Sequence, residues 1–279
     1  MNFFSFEEQL IPLDEWVQTF VDWLVYNYRH IFQAIKAPIE IALQGFEWVF
    51  NVLPPVIVIL LLAAAAWRYA GRNTAIFTVV SFVLIGYLGL WDETMTTLAM
   101  VISSVFFCAL AGIPLGIMAG RSDRFEILLR PALDAMQTVP SFVYLVPVVM
   151  LFSIGTVSGI LATIVFALPP IVRLTSLGIR QVHPELIEAA LAFGATSGQV
   201  LRRVQFPLAL PSIMAGLNQT LMMSLAMVVI AALIGAGGLG NPVVQGLNTL
   251  EIGLASIGGL AIVLLAMVLD RITQGFAKH

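Results

Sequence analysis

Seven apolar runs dominate the sequence, and each approaches the length that a helix needs to cross a bilayer, about 20 residues. A chain inside hydrocarbon must satisfy its own backbone hydrogen bonds, which a helix does within a single segment. The sequence therefore predicts an all-α integral membrane protein with about seven transmembrane helices. The runs fall at roughly 53–71, 74–91, 95–119, 136–154, 157–175, 212–234 and 250–270.

The composition supports a membrane protein and excludes several other classes. Charged residues make up 10% of the chain, whereas soluble globular proteins carry about 25%. The net charge of −3 offers no basic surface, so no nucleic-acid partner is expected. The single cysteine, Cys108, excludes an intrachain disulfide and a thiolate metal site. The three histidines are far apart along the chain, and we expect neither a bound metal nor a catalytic residue.

The basic residues predict the orientation in the membrane. If the seven runs alternate across the bilayer, eleven of the thirteen basic residues lie on one side. Positive charge concentrates on the cytoplasmic side, so the N-terminus is expected outside and the C-terminus inside. Only Arg29 and Lys36 fall on the other side. The eleven are Arg68, Arg72, Arg121, Arg124, Arg130, Arg173, Arg180, Arg202, Arg203, Arg271 and Lys278.

Residues 1–52 differ from the rest of the chain, because they hold seven of the sixteen acidic residues together with many aromatic ones. Trp16, Phe20 and Trp23 recur at near-helical spacing. One interpretation is an amphipathic helix in the outer interface, with tryptophans at headgroup depth. The other is an N-terminal helix packed against the bundle. We expect this segment to precede two scaffold helices at 53–93 and a transport core at 94–274.

The longest cytoplasmic connection, 176–211, is predicted to form a helix, a glycine turn and a second helix. Pro184 is typical of a first helical turn, and Gly194 is typical of the residue just after a helix. Ser197 is a suitable N-cap for the second helix. That helix is expected to end before Pro207.

This connection also carries a specific spacing: Glu188-Ala189-Ala190, three residues, Gly194, nine residues, then Val204-Gln205-Phe206-Pro207. It resembles the EAA loop of binding-protein-dependent ABC importer permeases, although Val204 and Phe206 stand where isoleucine and leucine are typical. The resemblance implies that the loop docks in a groove of an ATP-binding subunit. The docking residues it implies are Glu188, Ala189, Ala190, Gly194, Arg202, Arg203 and Pro207.

Four further runs, 136–152, 166–182, 207–220 and 227–240, resemble glycine betaine/proline betaine permeases of this family. The resemblance implies a type I, methionine-importer-like core in a bacterial plasma membrane. It also implies a second permease copy, two ATP-binding chains and an extracytoplasmic substrate-binding protein. ATP and Mg²⁺ would belong to the ATP-binding partner, since this chain has no G-x-x-x-x-G-K-[ST] motif. Choline, carnitine and an amino acid remain alternative solutes.

Two other functions stay open at this point. An ion-gradient-coupled carrier usually keeps an ionisable residue inside its spans, and none lies deep in the predicted runs, although sodium can be held by backbone carbonyls. A non-transporting osmosensor scaffold is the other alternative, but it gives no reason for the EAA spacing.

Polar and aromatic side chains mark a possible translocation path. Asn218, Gln219 and Thr220 form the most polar patch in any span, and they either line the path or bond neighbouring helices. Phe142 and Tyr144 could hold a quaternary ammonium by cation–π attraction.

Two glycine patterns complete the set. Gly235, Gly237, Gly238 and Gly240 match G-x-G-x-x-G, but they follow a membrane span rather than a strand, so a tight turn near an external gate is expected instead of a nucleotide site. Gly112, Gly116 and Gly120 predict close helix packing, either within the chain or across a dimer.

Overall fold

The computed structural model describes residues 12–276, and helices account for nearly all of them. A 3₁₀ turn at Ser141–Tyr144 leads into the sixth helix, and a π-helical turn at Leu201–Gln205 joins the ninth helix to the tenth. The helices are α1 (Leu13–Val52), α2 (Pro55–Ala70), α3 (Arg72–Tyr87), α4 (Trp91–Arg121), α5 (Asp123–Thr138), α6 (Leu145–Phe152), α7 (Thr156–Arg180), α8 (Pro184–Ala192), α9 (Ser197–Val200), α10 (Phe206–Ala232), α11 (Gly240–Thr249) and α12 (Ile252–Phe276).

Within residues 12–276, four segments are long and apolar enough to cross a membrane: α4, α7, the continuous helix from Ser197 to Ala232, and α12. Two bent pairs, α1 with α2 and α5 with α6, raise the number to six if each pair is one span. The apolar helix α3 has only 16 residues, and it brings the number to the expected seven if it is counted as well. The all-α membrane fold is therefore confirmed.

The centre of the bundle is α7 packed between α4 and α10. The three glycines of α4 face α7, so their close packing lies within this chain. A Cβ added at Gly116 would stand 2.5 Å from Thr175 Cβ, far inside van der Waals contact, and this interface therefore excludes any side chain there. The contacting pairs are Gly112 with Ile171, Gly116 with Thr175 and Gly120 with Ile179. Cys108 is buried beside this interface.

The predicted run at 136–154 is divided near its start by a bend. The chain bends by 105° between α5 and the segment Ser141–Phe152. Pro140 causes the break, because a proline disfavours helical geometry in the residue before it. Val139 is accordingly extended, with φ −71° and ψ 130°.

Helix α1 packs on the bundle along its second half only, as the second interpretation of the N-terminal segment predicts for that half. Its second half packs on the bundle, where Ile39 and Leu43 are buried against Ala99 and Met100. Its first half is exposed, as at Trp16, which retains 60% of its accessible surface. The helix changes direction at Tyr28, whose φ of −118° is not helical. Residues 1–11 of the predicted N-terminal segment lie outside the described part of the chain.

The basic ends of the helices gather at one end of the bundle. The α2–α3 turn sits against the C-terminal end of α12, where the rings of Tyr69 and Phe276 stack with centroids 3.7 Å apart. Since α3 and α4 are antiparallel neighbours, the end of α4 at Arg121 lies at this same end. Arg180 closes α7 there and bonds the Ala119 carbonyl oxygen at 2.7 Å. We call this the basic end.

Candidate coupling loop and translocation residues

The loop between α7 and α10 lies at the basic end and begins as the sequence predicts. Pro184 is the first residue of α8, directly after His183, whose extended backbone starts the helix without a side-chain cap. Proline is well suited to this position because a first-turn N–H has no partner within the helix. The loop therefore presents a short, well-defined helix of nine residues.

Gly194 ends α8 in the way its position predicts. Its φ is +82°, a left-handed conformation that glycine adopts without steric cost. The Gly194 N–H bonds Leu191 O at 2.9 Å, and the Ala195 N–H bonds Ala190 O at 3.0 Å. These two bonds form a Schellman motif, which turns the chain sharply between α8 and α9.

The cap of the second helix differs from the prediction by one residue. Thr196, not Ser197, is the N-cap of α9, and it forms a capping box with Gln199. The Thr196 N–H donates to Gln199 Oε1 at 2.8 Å. The signal was present as Thr-x-x-Gln, the capping-box pattern.

The second helix does not end before Pro207, so this expectation is wrong as well. The chain continues through the π-helical turn at Leu201–Gln205 into α10, where Pro207 occupies the first turn. Proline is excluded from a helix because its ring clashes with the carbonyl four residues earlier. The extra residue of the π-turn changes that spacing, and the Phe206 N–H bonds Leu201 O, five residues back.

The side chains that carry the spacing signature face outward. Glu188, Ala189, Arg202 and Arg203 are exposed, and Ala190 is half-buried. Within the described residues no ion pair neutralises these charges. Phe193, which sequence reasoning did not single out, is the most exposed large apolar residue of the loop at 93%. A charged and apolar surface of this kind is typical of a protein-binding site.

Side-chain contacts at the basic end tie this loop to α4 and tie α5 to α7. The Arg121 guanidinium at the end of α4 donates a hydrogen bond to Ser197 Oγ in α9. Arg180 of α7 bonds Asp123 at 2.6 Å and Glu126 at 2.8 Å, which fastens α5 to α7. No sequence signal pointed to these pairs, because their partners are separated by more than fifty residues.

The polar patch in α10 divides between two roles. Asn218 bonds α12, with its Nδ2 donating to Asp270 Oδ1 at 3.1 Å and its Oδ1 accepting from Thr273. Thr220 is fully buried and donates to Ala167 O of α7 at 3.0 Å. Both residues therefore bond helices together, whereas Gln219 is exposed. Asp270 of α12 and Arg173 of α7 are ionisable residues within long apolar helices, in the half of each helix nearer the basic end. Each has a polar partner: Asp270 accepts a hydrogen bond from Asn218, and Arg173 donates one to Asp134.

The two aromatic residues suggested for the path are also separated in role. Tyr144 reaches back to the last turn of α5, where its hydroxyl lies 2.7 Å from Met136 O. It thus stabilises the bend before α6. Phe142 is 60% exposed and lies on the surface of the 3₁₀ turn.

The glycine sequence after α10 forms a tight turn at the opposite end of the bundle. Gly235, Gly237 and Gly238 all have φ between +71° and +83°. The turn is held against α4, because the Leu239 N–H donates to Thr97 Oγ1 at 2.8 Å. Gly240 then begins α11, and no strand precedes the turn in the described chain, as a dinucleotide site would require.

Comparison with known proteins decides what class of loop and bundle this is. Residues 112–279 match the family model described as "Binding-protein-dependent transport system inner membrane component". The chain belongs to this family. The matched residues contain the complete loop, the glycine-packed core and the polar patch of α10. The protein is accordingly a multi-pass membrane protein and a permease subunit of a transport system.

Relatives over almost the whole length agree with the family. The chain is 50% identical over 273 residues to the glycine betaine/proline betaine transport system permease protein ProW of Escherichia coli, covering 98% of this chain and 77% of that protein. It is 43% identical to the glycine betaine transport system permease protein OpuAB of Bacillus subtilis, covering 95% and 94%. The resemblance to betaine permeases is thus confirmed.

A solved structure agrees with the fold. The inward-facing MetNI methionine ABC transporter is similar with a TM-score of 0.58 and 26% sequence identity, over 65% of this chain and 91% of that chain. The expected methionine-importer-like core is therefore confirmed as the fold.

Proposed function

We propose that this chain is the membrane-spanning subunit of an ATP-driven importer of glycine betaine, proline betaine and similar osmoprotectants. One observation carries the proposal: an exposed, carboxylate-bearing helix, α8, is fixed by a proline start and a Schellman end on the basic end of a transport permease. The solute class rests on relatives named for glycine betaine and proline betaine.

The energy comes from partner subunits. Two copies of the permease pair with two ATP-binding chains, which bind ATP and Mg²⁺, and an extracytoplasmic binding protein delivers the solute. The basic end faces the cytoplasm of a bacterium, in keeping with the concentration of positive charge on that side. The N-terminus is then outside and the C-terminus inside.

Docking places α8 in a groove of the ATP-binding chain. Ala189 and Ala190 are small, so that the partner approaches the helix backbone closely, while Phe193 fills an apolar pocket. Glu188, Arg202 and Arg203 fix the orientation through charge. Gly194 and Pro207 define the two turns that position the loop.

Transport follows from switching between an outward-open and an inward-open arrangement. Closure of the ATP-binding chains displaces α8 and, through the chain at Thr196, the long helix that includes α10. Gln219 and Phe142, the exposed members of the polar and aromatic sets, contact the solute in passage. Asn218, Thr220 and Tyr144 hold the surrounding helices in register. The glycine turn at Gly235–Gly240 forms part of the external gate.

Reconstitution tests the whole proposal. Vesicles containing the permease, its ATP-binding chain and internal ATP should accumulate radiolabelled glycine betaine when the binding protein is added outside. Uptake should be lost without ATP or without the ATP-binding chain. Accumulation driven by a sodium or proton gradient alone would instead establish a secondary carrier.

The same assay distinguishes the solutes. Carnitine is the second candidate because a relative of Listeria monocytogenes, 43% identical over 96% of this chain, is named a glycine betaine/carnitine transport permease. Competition with unlabelled carnitine, choline, proline betaine and an amino acid ranks them. Displacement by an amino acid but not by any betaine would contradict the proposed solute class.

A further inference from the structure

Helices α2 and α3 leave an open groove along the outside of the bundle. The groove has a volume of about 650 Å³, within the range of roughly 300–1,000 Å³ that is usual for small-molecule sites. Ala63 and Ala64 of α2 leave space for the groove because their side chains are small, and Val79 and Val80 of α3 line its other side. The groove is therefore an apolar channel that runs parallel to two membrane helices.

One end of the groove is positively charged. Arg72 lines it, and Arg68 lies one turn from the Gly71 connection, with its guanidinium carbon 5.4 Å from the centre of the Tyr69 ring. Among the described residues, no carboxylate oxygen lies within 4.0 Å of either arginine. Both arginines are exposed, so the end of the groove carries the positive charge of Arg72, and the nearby Arg68 adds a second charge, neither with a protein counter-ion.

The length of the hairpin brings these charges to the level of lipid phosphates. Helices α2 and α3 have 16 residues each, which at ~1.5 Å per residue is roughly 24 Å. The hydrocarbon core is about 30 Å thick. A short span draws headgroups inward or extends its flanking basic side chains toward them.

The hairpin cannot slide outward to relieve this mismatch. Its turn is held against α12, because a Cβ on Gly275 would stand 2.6 Å from Tyr69 O, and the Tyr69 and Phe276 rings stack beside it. Trp67, which is 68% exposed, lines the groove directly before Arg68 and five residues before Arg72. Tryptophan is favoured at headgroup depth, so the groove presents an apolar length, an interfacial ring and a cationic end in that order.

We propose that this groove is a binding site for an anionic phospholipid. The lipid phosphate lies on Arg68 and Arg72, and one acyl chain follows Ala63 and Ala64 between the two helices. The order of apolar and charged surface matches a single amphiphile, whereas a soluble anion would leave the apolar length exposed. The site does not depend on which solute the permease transports.

Quenching of Trp67 fluorescence measures occupancy directly. The full chain, purified with its partner subunits, is placed in vesicles of phosphatidylcholine that contain either brominated phosphatidylglycerol or brominated phosphatidylcholine. The contribution of Trp67 is the difference between the wild type and Trp67→Phe. We expect phosphatidylglycerol to be preferred by about fivefold for each arginine, the fold-change that corresponds to ~1 kcal/mol per basic residue near an anionic leaflet.

Charge variants separate the site from general membrane attraction. Arg68→Gln with Arg72→Gln should remove the preference, and the two lysine replacements should retain most of it. Arg124→Gln, an exposed arginine of α5, should leave the preference unchanged. An equal preference in the wild type and the double glutamine variant would overturn the proposal, as would loss of the preference in Arg124→Gln.

A groove variant tests the acyl-chain half. Ala64→Leu should weaken quenching of Trp67 by both brominated lipids, and Val56→Leu, an exposed change elsewhere on α2, should not. If neither brominated lipid quenches Trp67, protein covers the groove, for instance a second copy of this chain. Competition by soluble glycerol phosphate would show a headgroup site without an acyl chain, and either result would refute the lipid site.

Discussion

Arg121, the last residue of α4, donates a hydrogen bond to the hydroxyl of Ser197 in the first turn of α9. This pair joins a membrane helix to the loop between α7 and α10 across 76 residues of sequence. A movement of the loop therefore acts on α4 as well as on α10.

The first prediction concerns this link. Arg121→Gln should lower uptake per ATP hydrolysed by about twofold, because an exposed charged contact contributes roughly 0.5 kcal/mol. Uptake and ATP hydrolysis are measured together in reconstituted vesicles. Arg124→Gln removes the same charge from the neighbouring helix and should preserve the ratio. If the two variants behave alike, Arg121 has no specific role in coupling.

The second prediction concerns the geometry that ends α8. Gly194→Ala should destabilise the loop by about 1 kcal/mol, because an L-residue with φ of +82° is strained. Gly194→Asn should be milder, since asparagine tolerates the left-handed region. Solute-stimulated ATPase activity provides the measurement. Gly198→Ala is the control, because nothing lies within 4 Å of the added methyl; a loss of equal size there would contradict this explanation.

The third prediction concerns the contact of α4 with α7. Gly116→Val should lower the free energy of unfolding by about 1–3 kcal/mol, the usual cost of overpacking, since even a Cβ would meet Thr175 at 2.5 Å. Thermal unfolding in detergent tests this. Gly86→Ala in α3, where the space is open, should be neutral or stabilising by up to ~1 kcal/mol. An unchanged midpoint for Gly116→Val would show that these helices separate easily.

The fourth prediction concerns the bond between α10 and α12. Asn218→Ala and Asp270→Ala should show a coupling energy of about 1 kcal/mol in a double-mutant cycle, as expected for a hydrogen bond between membrane helices. Unfolding in detergent supplies the four free energies. Gln219→Ala, which changes an exposed neighbour, should not couple to Asp270. Additive effects of the first pair would mean that its bond is not formed in the membrane.

Most of the helical pattern followed from hydrophobicity, because a membrane leaves the backbone few alternatives. The two ends of α8 could also be predicted from the sequence, since Pro184 and Gly194 determine them through their own backbone geometry. Pro140 and Pro207 mark the limit of this reasoning. A proline is generally expected to break a helix. Pro140 does so within an apolar run, whereas Pro207 lies in a helix that continues through a π-helical turn. Which outcome occurs depends on neighbours that sequence spacing does not specify.

The candidate site shows the same division. Exposure of Glu188 and Ala189 could be anticipated because they lie in a polar connection between two apolar runs. The partners of Asn218 and Arg121 could not, because they lie more than fifty residues away. Thr220 is the instructive case, since a hydroxyl inside a span is equally suited to a solute path and to a carbonyl of the next helix. Only packing against Ala167 decides between them.

The helix from Ser197 to Ala232 connects the loop between α7 and α10 at the basic end directly to the glycine turn at the opposite end of the bundle. Its 36 residues at ~1.5 Å each extend roughly 54 Å, well beyond the thickness of the hydrocarbon core. Hydrogen bonds from Asn218 and Thr220, near the middle of this helix, attach it to α12 and α7. If an ATP-binding partner tilts the loop end of this helix, as the proposed function requires, we expect the glycine turn at the far end to move in the opposite direction.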